Sequence, residues 1–133
     1  MTSDTQIDHF LAQPAFAVVG ASRDRSKYGN KVLRCYQQNG RTAYPVNPNA
    51  DEIEGLACVP DLASLPNQVK AASIITPPKI TEKIVEQAAE AGVQHLWIQP
   101  GAESKAAVER AAELKLQIIA GGPCILVTLG YHE

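Results

Sequence analysis

The stretch Gly20-Ala21-Ser22-Arg23-Asp24-Arg25-Ser26-Lys27-Tyr28-Gly29 holds the densest set of groups able to do chemistry. It follows the apolar run Ala15-Phe16-Ala17-Val18-Val19 and leads into a segment with helical spacing. A glycine at the end of a strand lets backbone N–H groups approach a phosphate closely. A helix starting just beyond adds unsatisfied N–H groups and the positive end of its dipole. Ser22 can donate its hydroxyl, while Arg23 and Lys27 supply mobile positive charge. The chemistry these residues support is anion binding. A plain strand-to-helix turn with solvated cations fits them too and stays open at this level.

The loop departs from the standard nucleotide signatures. The G-x-G-x-x-G pattern needs glycine where Ser22 stands, and Walker A needs glycine just before Lys27, where Ser26 stands. An NAD-selective site also wants an acid at the end of the second strand to hold the ribose diol, whereas this chain has Val46-Asn47-Pro48. A phosphorylated ribose would meet no repelling carboxylate there. These departures count against NAD and against nucleoside triphosphate hydrolysis.

Other chemistry is poorly supplied. Cys35, Cys58 and Cys124 form no C-x-x-C pair, which suits a reducing compartment better than a disulfide framework. His9, His95 and His132 are scattered as well, so no zinc site is expected. A catalytic site needs a positioned nucleophile, a base and a charge stabiliser, and only the last can be assembled here. Cys124 follows the strand expected at Gln117–Ala120 within Gly121-Gly122-Pro123-Cys124. It is read either as a small hydrophobe behind the last sheet segment or as a thiol aimed at the site.

These loops are positioned by alternating elements. Ala15–Val19 reads as a strand buried on both faces. Tyr28, Val32, Leu33 and Tyr36 share a helical face that Gly40 can end. Thr42–Val46 reads as a strand whose Pro45 predicts irregular pairing. The segment 47–69 reads as a loop with a short strand near Leu56–Val59 and a helical turn after Asp61. Ala71–Ile75 is the next buried strand, and Pro77-Pro78 opens a helix with Ile80, Ile84, Val85, Ala88 and Ala91 on one face and Gly92 beyond its end. Leu96–Ile98 is a strand, Ser104–Leu116 a helix and Gln117–Ala120 a strand. Ile125–Leu129 reads as a last strand or edge segment, and residues 4–12 as a short helix.

This alternation predicts an α/β fold: a single Rossmann-like, three-layer domain over residues 1–133 with a mainly parallel sheet and right-handed crossovers. Ligands of such sheets bind beyond the carboxyl ends of the strands, where the winding reverses. The rule selects Gly20-Ala21-Ser22, Asn47-Pro48-Asn49, Thr76-Pro77-Pro78 and Gln99-Pro100-Gly101. Helix initiation also explains Thr76–Pro78, and a structural turn also explains Gln99–Gly101.

Composition narrows the partners. The formal net charge of −2 argues against broad nucleic-acid or membrane-surface binding. No apolar run reaches the roughly 20 residues of a membrane span. The first residues, MTSDTQIDHF, are polar and acidic, unlike a signal peptide, so a cytoplasmic location is expected.

Val19-Gly20-Ala21-Ser22, Lys27, Tyr44-Pro45-Val46-Asn47-Pro48 and Glu54-Gly55 resemble the CoA-binding domain of the succinyl-CoA synthetase α subunit and of ADP-forming acyl-CoA synthetases. The stand-alone, YccU-like CoA-binding proteins of bacteria and archaea are the most similar version. The resemblance covers Ala15 to Gly130. It implies coenzyme A as ligand, with Gly20, Ala21, Ser22 and Arg23 against its phosphates and Lys27 nearby. It implies Asn47, Pro48 and Asn49 beside the adenosine and 3′-phosphate, and Thr76, Pro77 and Pro78 along the pyrophosphate and upper pantetheine. Gln99 and Pro100 would come next along the arm.

The multi-domain relatives transfer phosphoryl groups through a histidine in a following domain, and no histidine here follows such a loop. The expectation is therefore non-catalytic binding of coenzyme A or an acyl-CoA by a carrier, sensor or regulatory partner, with the protein partner unspecified. Two alternatives remain: an enzyme or enzyme subunit acting on a CoA thioester, and an NAD(P)- or nucleotide-binding regulator.

Overall fold

A computed structural model of the chain describes residues 4–122 and 124–133. Its helices are α1 (Asp4–Leu11), α2 (Tyr28–Gln38), α3 (Pro78–Ala91), α4 (Lys105–Glu113) and α5 (Ile125–Thr128). The strands are β1 (Phe16–Val19), β2 (Ala43–Val46), β3 (Glu52–Ile53), β4 (Leu56–Ala57), β5 (Ala71–Ile74), β6 (His95–Ile98) and β7 (Gln117–Ile119), with a 3-10 turn at Leu62–Ser64. Among the described residues no helix is long and apolar enough to cross a membrane.

Every residue of β1 and β5 is buried, because helices cover both faces of the sheet. The five-stranded sheet has the order β2-β1-β5-β6-β7, and all its pairs are parallel. The chain steps from β1 out to β2 and returns to β5 on the other side of β1. The winding therefore reverses beside β1, as the ligand rule requires. Val19 lies opposite both Val46 and Ile74, so β1, β2 and β5 end level with one another. That register presents their following loops to a common space.

Side-chain alternation divides the core in two. Phe16 and Val18 pack with Val32, Leu33, Tyr36 and Trp97 on the face covered by α1, α2 and α5. Ala17, Val19, Ala72 and Ile74 pack with Val85, Ala88 and other residues of α3 and α4 on the opposite face. Phe16 stacks on Tyr36 at 4.8 Å between ring centroids, and Phe10 meets Trp97 edge-on at 5.3 Å. Ser73 is the polar residue inside β5, and the Tyr36 hydroxyl lies 2.6 Å from its Oγ.

Three expectations need correction. The run Ile125–Leu129 is no strand: Ile125–Thr128 forms the short helix α5, with Ile125 buried and Val127 exposed. Gly121 and Gly122, both at positive φ, lead the chain off the sheet before it, and Pro123 lies outside the described residues. Pro45 pairs regularly, with Ala43–Val46 in register against Phe16–Val19. Its missing N–H is harmless because β2 is an edge strand, and the Pro45 carbonyl accepts from Val59 N. Finally, residues 52–57 form an antiparallel β3–β4 hairpin rather than a loop with one strand.

Candidate functional site

The level ends of β1, β2 and β5 open on a cleft of about 770 Å³. Gly20, Ala21, Ser22 and Lys27 line it from the first loop, Asn47 and Pro48 from the loop after β2, and Thr76 and Pro77 from the loop after β5. The remaining sequence candidates lie elsewhere. Arg23 is exposed, and its Nε donates to the Glu52 carbonyl of the hairpin at 2.9 Å. Asn49 is exposed and donates its N–H to Asn47 Oδ1. Pro78 begins α3, and Pro100 is exposed beyond β6. Gln99 is fully buried and faces the interior.

Gly20 adopts φ +96, and a Cβ there would lie 2.4 Å from the Ile75 carbonyl oxygen. Only glycine fits this crossing of the β1 and β5 loops. Gly29 serves a different contact. A Cβ on it would lie 2.0 Å from the Gly20 carbonyl oxygen, so its bare Cα lets the start of α2 press onto the end of β1. Side-chain amides then fix the loop carbonyls: Asn47 Nδ2 donates to Ala21 O at 2.8 Å, and Asn30 Nδ2 to Ser22 O at 2.8 Å. Asp24 completes the turn by accepting from Ser26 N and Oγ, which holds its carboxyl below the usual carboxylate range, with Lys27 adding a smaller effect.

Two helices begin at this cleft, and neither is closed by a side chain. Lys27 caps α2 and Pro77 caps α3 by position only, without a side-chain hydrogen bond, and neither first turn contains an acid. The start of α5 at Cys124 also lacks a side-chain cap, whereas two other starts are sealed. Ser104 Oγ accepts from Ala107 N at the start of α4, and Asp61 Oδ1 accepts from Ser64 N at the 3-10 turn. The cleft thus faces two positive dipole ends, with Lys27 exposed at its edge.

Sequence reading missed part of the wall. Ile75, Ile80, Ile84 and Gln87 line the cleft from the β5–α3 side, and Pro60 and Asp61 from the loop after β4. Ile80 was expected on the buried face of α3, yet it is 41% exposed within the cleft. The helical period alone could not distinguish a wall from a core. Gly29 could have been noticed, because glycine early in a helix is costly without a packing reason.

Beside the cleft, Tyr28 joins a half-buried polar cluster. Its hydroxyl bonds Gln99 Oε1 at 3.2 Å and meets Cys124 Sγ, while Gln99 Oε1 also accepts from Ile125 N. Burial, reinforced by Cys124, pushes the Tyr28 phenol well above its ordinary range. Cys124 is half-buried and does not line the cleft. Among the described residues no group of His, Cys, Asp and Glu is placed to hold a metal ion.

Residues 14–130 match a family model described as a CoA binding domain. The ADP-forming acetate–CoA ligase II of Archaeoglobus fulgidus is 35% identical over 105 residues, which cover 77% of this chain and 16% of the ligase. The chain therefore spans about a sixth of the length of that relative. A conserved hypothetical protein from Pyrococcus furiosus superposes with a TM-score of 0.82 at 39% identity, covering 86% of this chain and 97% of that one. The dinucleotide-forming acetyl-coenzyme A synthetase 1 of Ca. Korarchaeum cryptofilum, solved with phosphate and ADP, gives a TM-score of 0.73 at 32% identity. That match covers 80% of this chain and 25% of the synthetase.

Proposed function

The chain belongs to the CoA-binding domain family, and from that premise we propose that it binds coenzyme A or an acyl-CoA with the diphosphate between the first turns of α2 and α3. The observation that carries this reading is the pair of helix starts without side-chain caps or acids on one cleft. A diphosphate supplies acceptors for the free N–H groups at the start of α2 and negative charge for both dipole ends, Pro77 and Pro78 carrying no N–H at the start of α3. Lys27 adds a cation at the rim. Ile75, Ile80 and Ile84 offer an apolar strip for the uncharged part of the ligand, and a ligand lying there would cover the exposed Ile80.

The same groups support binding without catalysis by this chain alone. The Tyr28 phenol in the cleft wall is held protonated by burial, so it offers no base near neutral pH. A carrier, a sensor and a regulatory partner all need only the binding step. A second reading is favoured by the ligase match, of which this domain makes up 16%. In that reading the chain supplies the CoA site of a separately encoded catalytic partner.

The test is thermal melting with CoA, NAD, NADP and ATP at equal concentration. CoA should give the largest rise, since a ligand at 100 times its Kd adds about 2.7 kcal/mol. A rise with NAD and none with CoA contradicts the reading. Release of CoA from acetyl-CoA with ADP and phosphate by the pure protein, abolished by Gly20→Val, would replace binding with catalysis.

A further inference from the structure

Glu54 lies at φ +50, a left-handed conformation that side chains other than asparagine and aspartate seldom adopt. With Gly55 at φ +79 it forms the turn joining β3 to β4, where Asn-Gly is the favoured pair. Strain of this kind persists where surrounding contacts over-determine the conformation. Here Glu54 Oε2 accepts from Asn30 Nδ2 at 3.0 Å and lies 3.4 Å from Arg25 Nε. The Glu54 carbonyl accepts from Gln37 Nε2 at 3.1 Å.

Asn30 is fully buried, and the nitrogen that it gives to Glu54 also holds the Ser22 carbonyl at 2.8 Å. Its Oδ1 accepts from Arg34 Nε at 2.7 Å, and Arg34 Nη2 donates to the Arg25 carbonyl at 2.9 Å. The Glu54 carboxylate is therefore one buried amide away from the backbone of the cleft loop. A trans peptide is planar, so fixing the Ser22 carbonyl also fixes the opposite direction of the Arg23 N–H.

We infer that Glu54 is a positioning residue of the anion loop, acting through Asn30 to set the Ser22–Arg23 peptide for the ligand's phosphates. Its effect on ligand affinity rests on the CoA reading, whereas its hold on the peptide does not. Asparagine would suit the turn better, but its side chain is one methylene shorter and cannot keep the contact with Asn30. The loop, rather than the hairpin, explains why a glutamate occupies this strained position.

The test compares Glu54→Asn and Glu54→Gln by melting, by amide NMR of the free protein and by calorimetric titration with CoA. Glu54→Asn should melt at or above the wild-type temperature, shift the Ser22 and Arg23 amide resonances and raise the Kd for CoA about tenfold, as expected for one lost hydrogen bond. Glu54→Gln keeps the reach and an acceptor oxygen, so it should preserve both resonances and hold the Kd within about threefold. Wild-type resonances in Glu54→Asn would make Glu54 a turn residue only. Equal losses in both variants would assign the effect to charge and overturn the positioning role. A wild-type protein that ignores CoA would refute the ligand reading alone, and the resonances would still decide the role of Glu54.

Discussion

Gly29→Ala puts one methyl group where α2 meets the end of β1. The added Cβ would lie 2.0 Å from the Gly20 carbonyl oxygen, against a closest tolerable approach of 3.0 Å. The obstacle is backbone, so the start of α2 must retreat from the strand by about 1 Å. Overpacking of this size costs about 1–3 kcal/mol, and the better helix propensity of alanine returns about 1 kcal/mol. Stability should therefore fall by about 0–2 kcal/mol in urea titration. Binding should suffer more. A 1 Å retreat takes an N–H from about 2.9 Å to about 3.9 Å from a phosphate oxygen, beyond hydrogen-bond range. Losing one such charged bond costs about 1.5–3 kcal/mol, which raises the Kd for CoA about 10- to 150-fold in calorimetry. Gly40→Ala is the control, because a Cβ there meets nothing within 4 Å and the site is remote from the cleft. It should lose about 1 kcal/mol to its left-handed φ and bind CoA normally. An unchanged Kd in Gly29→Ala would refute the claim that α2 must touch β1 for the anion to bind.

Lys27→Ala should weaken CoA binding only about 1.5- to 5-fold, because the side chain is exposed and screened, and the loss should shrink in high salt. Titration with dephospho-CoA locates the charge: an equal loss with both ligands assigns Lys27 to the diphosphate, and a loss with CoA alone assigns it to the 3′-phosphate. His95, partly buried at the start of β6 with His9 nearby, has its pKa held below 6.5 by burial first and His9 second. The unfolded chain then binds the proton more readily, so this contribution to stability is full above pH 6.5 and declines as the pH falls below it. Melting between pH 7.5 and 5.5 should show that decline, and His95→Gln should reduce it.

The alternation of apolar runs and helical faces was enough to read the parallel sheet and the loops at its carboxyl ends. Four loops each follow a strand, and three of them line one cleft because Val19, Val46 and Ile74 end in register. What escaped depended on contacts distant in sequence. Gln99 turns inward because its Oε1 serves both the Tyr28 hydroxyl and the Ile125 N–H. Arg23 leaves the cleft for a carbonyl of a hairpin whose two-residue strands are too short to show a period. Ile125–Thr128 is too short for its apolar residues to reveal helix or strand, and its geometry follows from the glycine turn before it. Ile80 carries a core-like pattern but faces a cleft that only the neighbouring loops create.

The crystal structure of the protein with CoA tests the placement of the ligand most directly. The diphosphate should lie within hydrogen-bond distance of backbone N–H groups at the start of α2, beside Gly20–Ser22, and against the positive end of α3 at Thr76–Pro77. A diphosphate bound elsewhere, for instance in the hollow of about 520 Å³ formed by Glu103, Lys105, Val108 and Gly121, would contradict it.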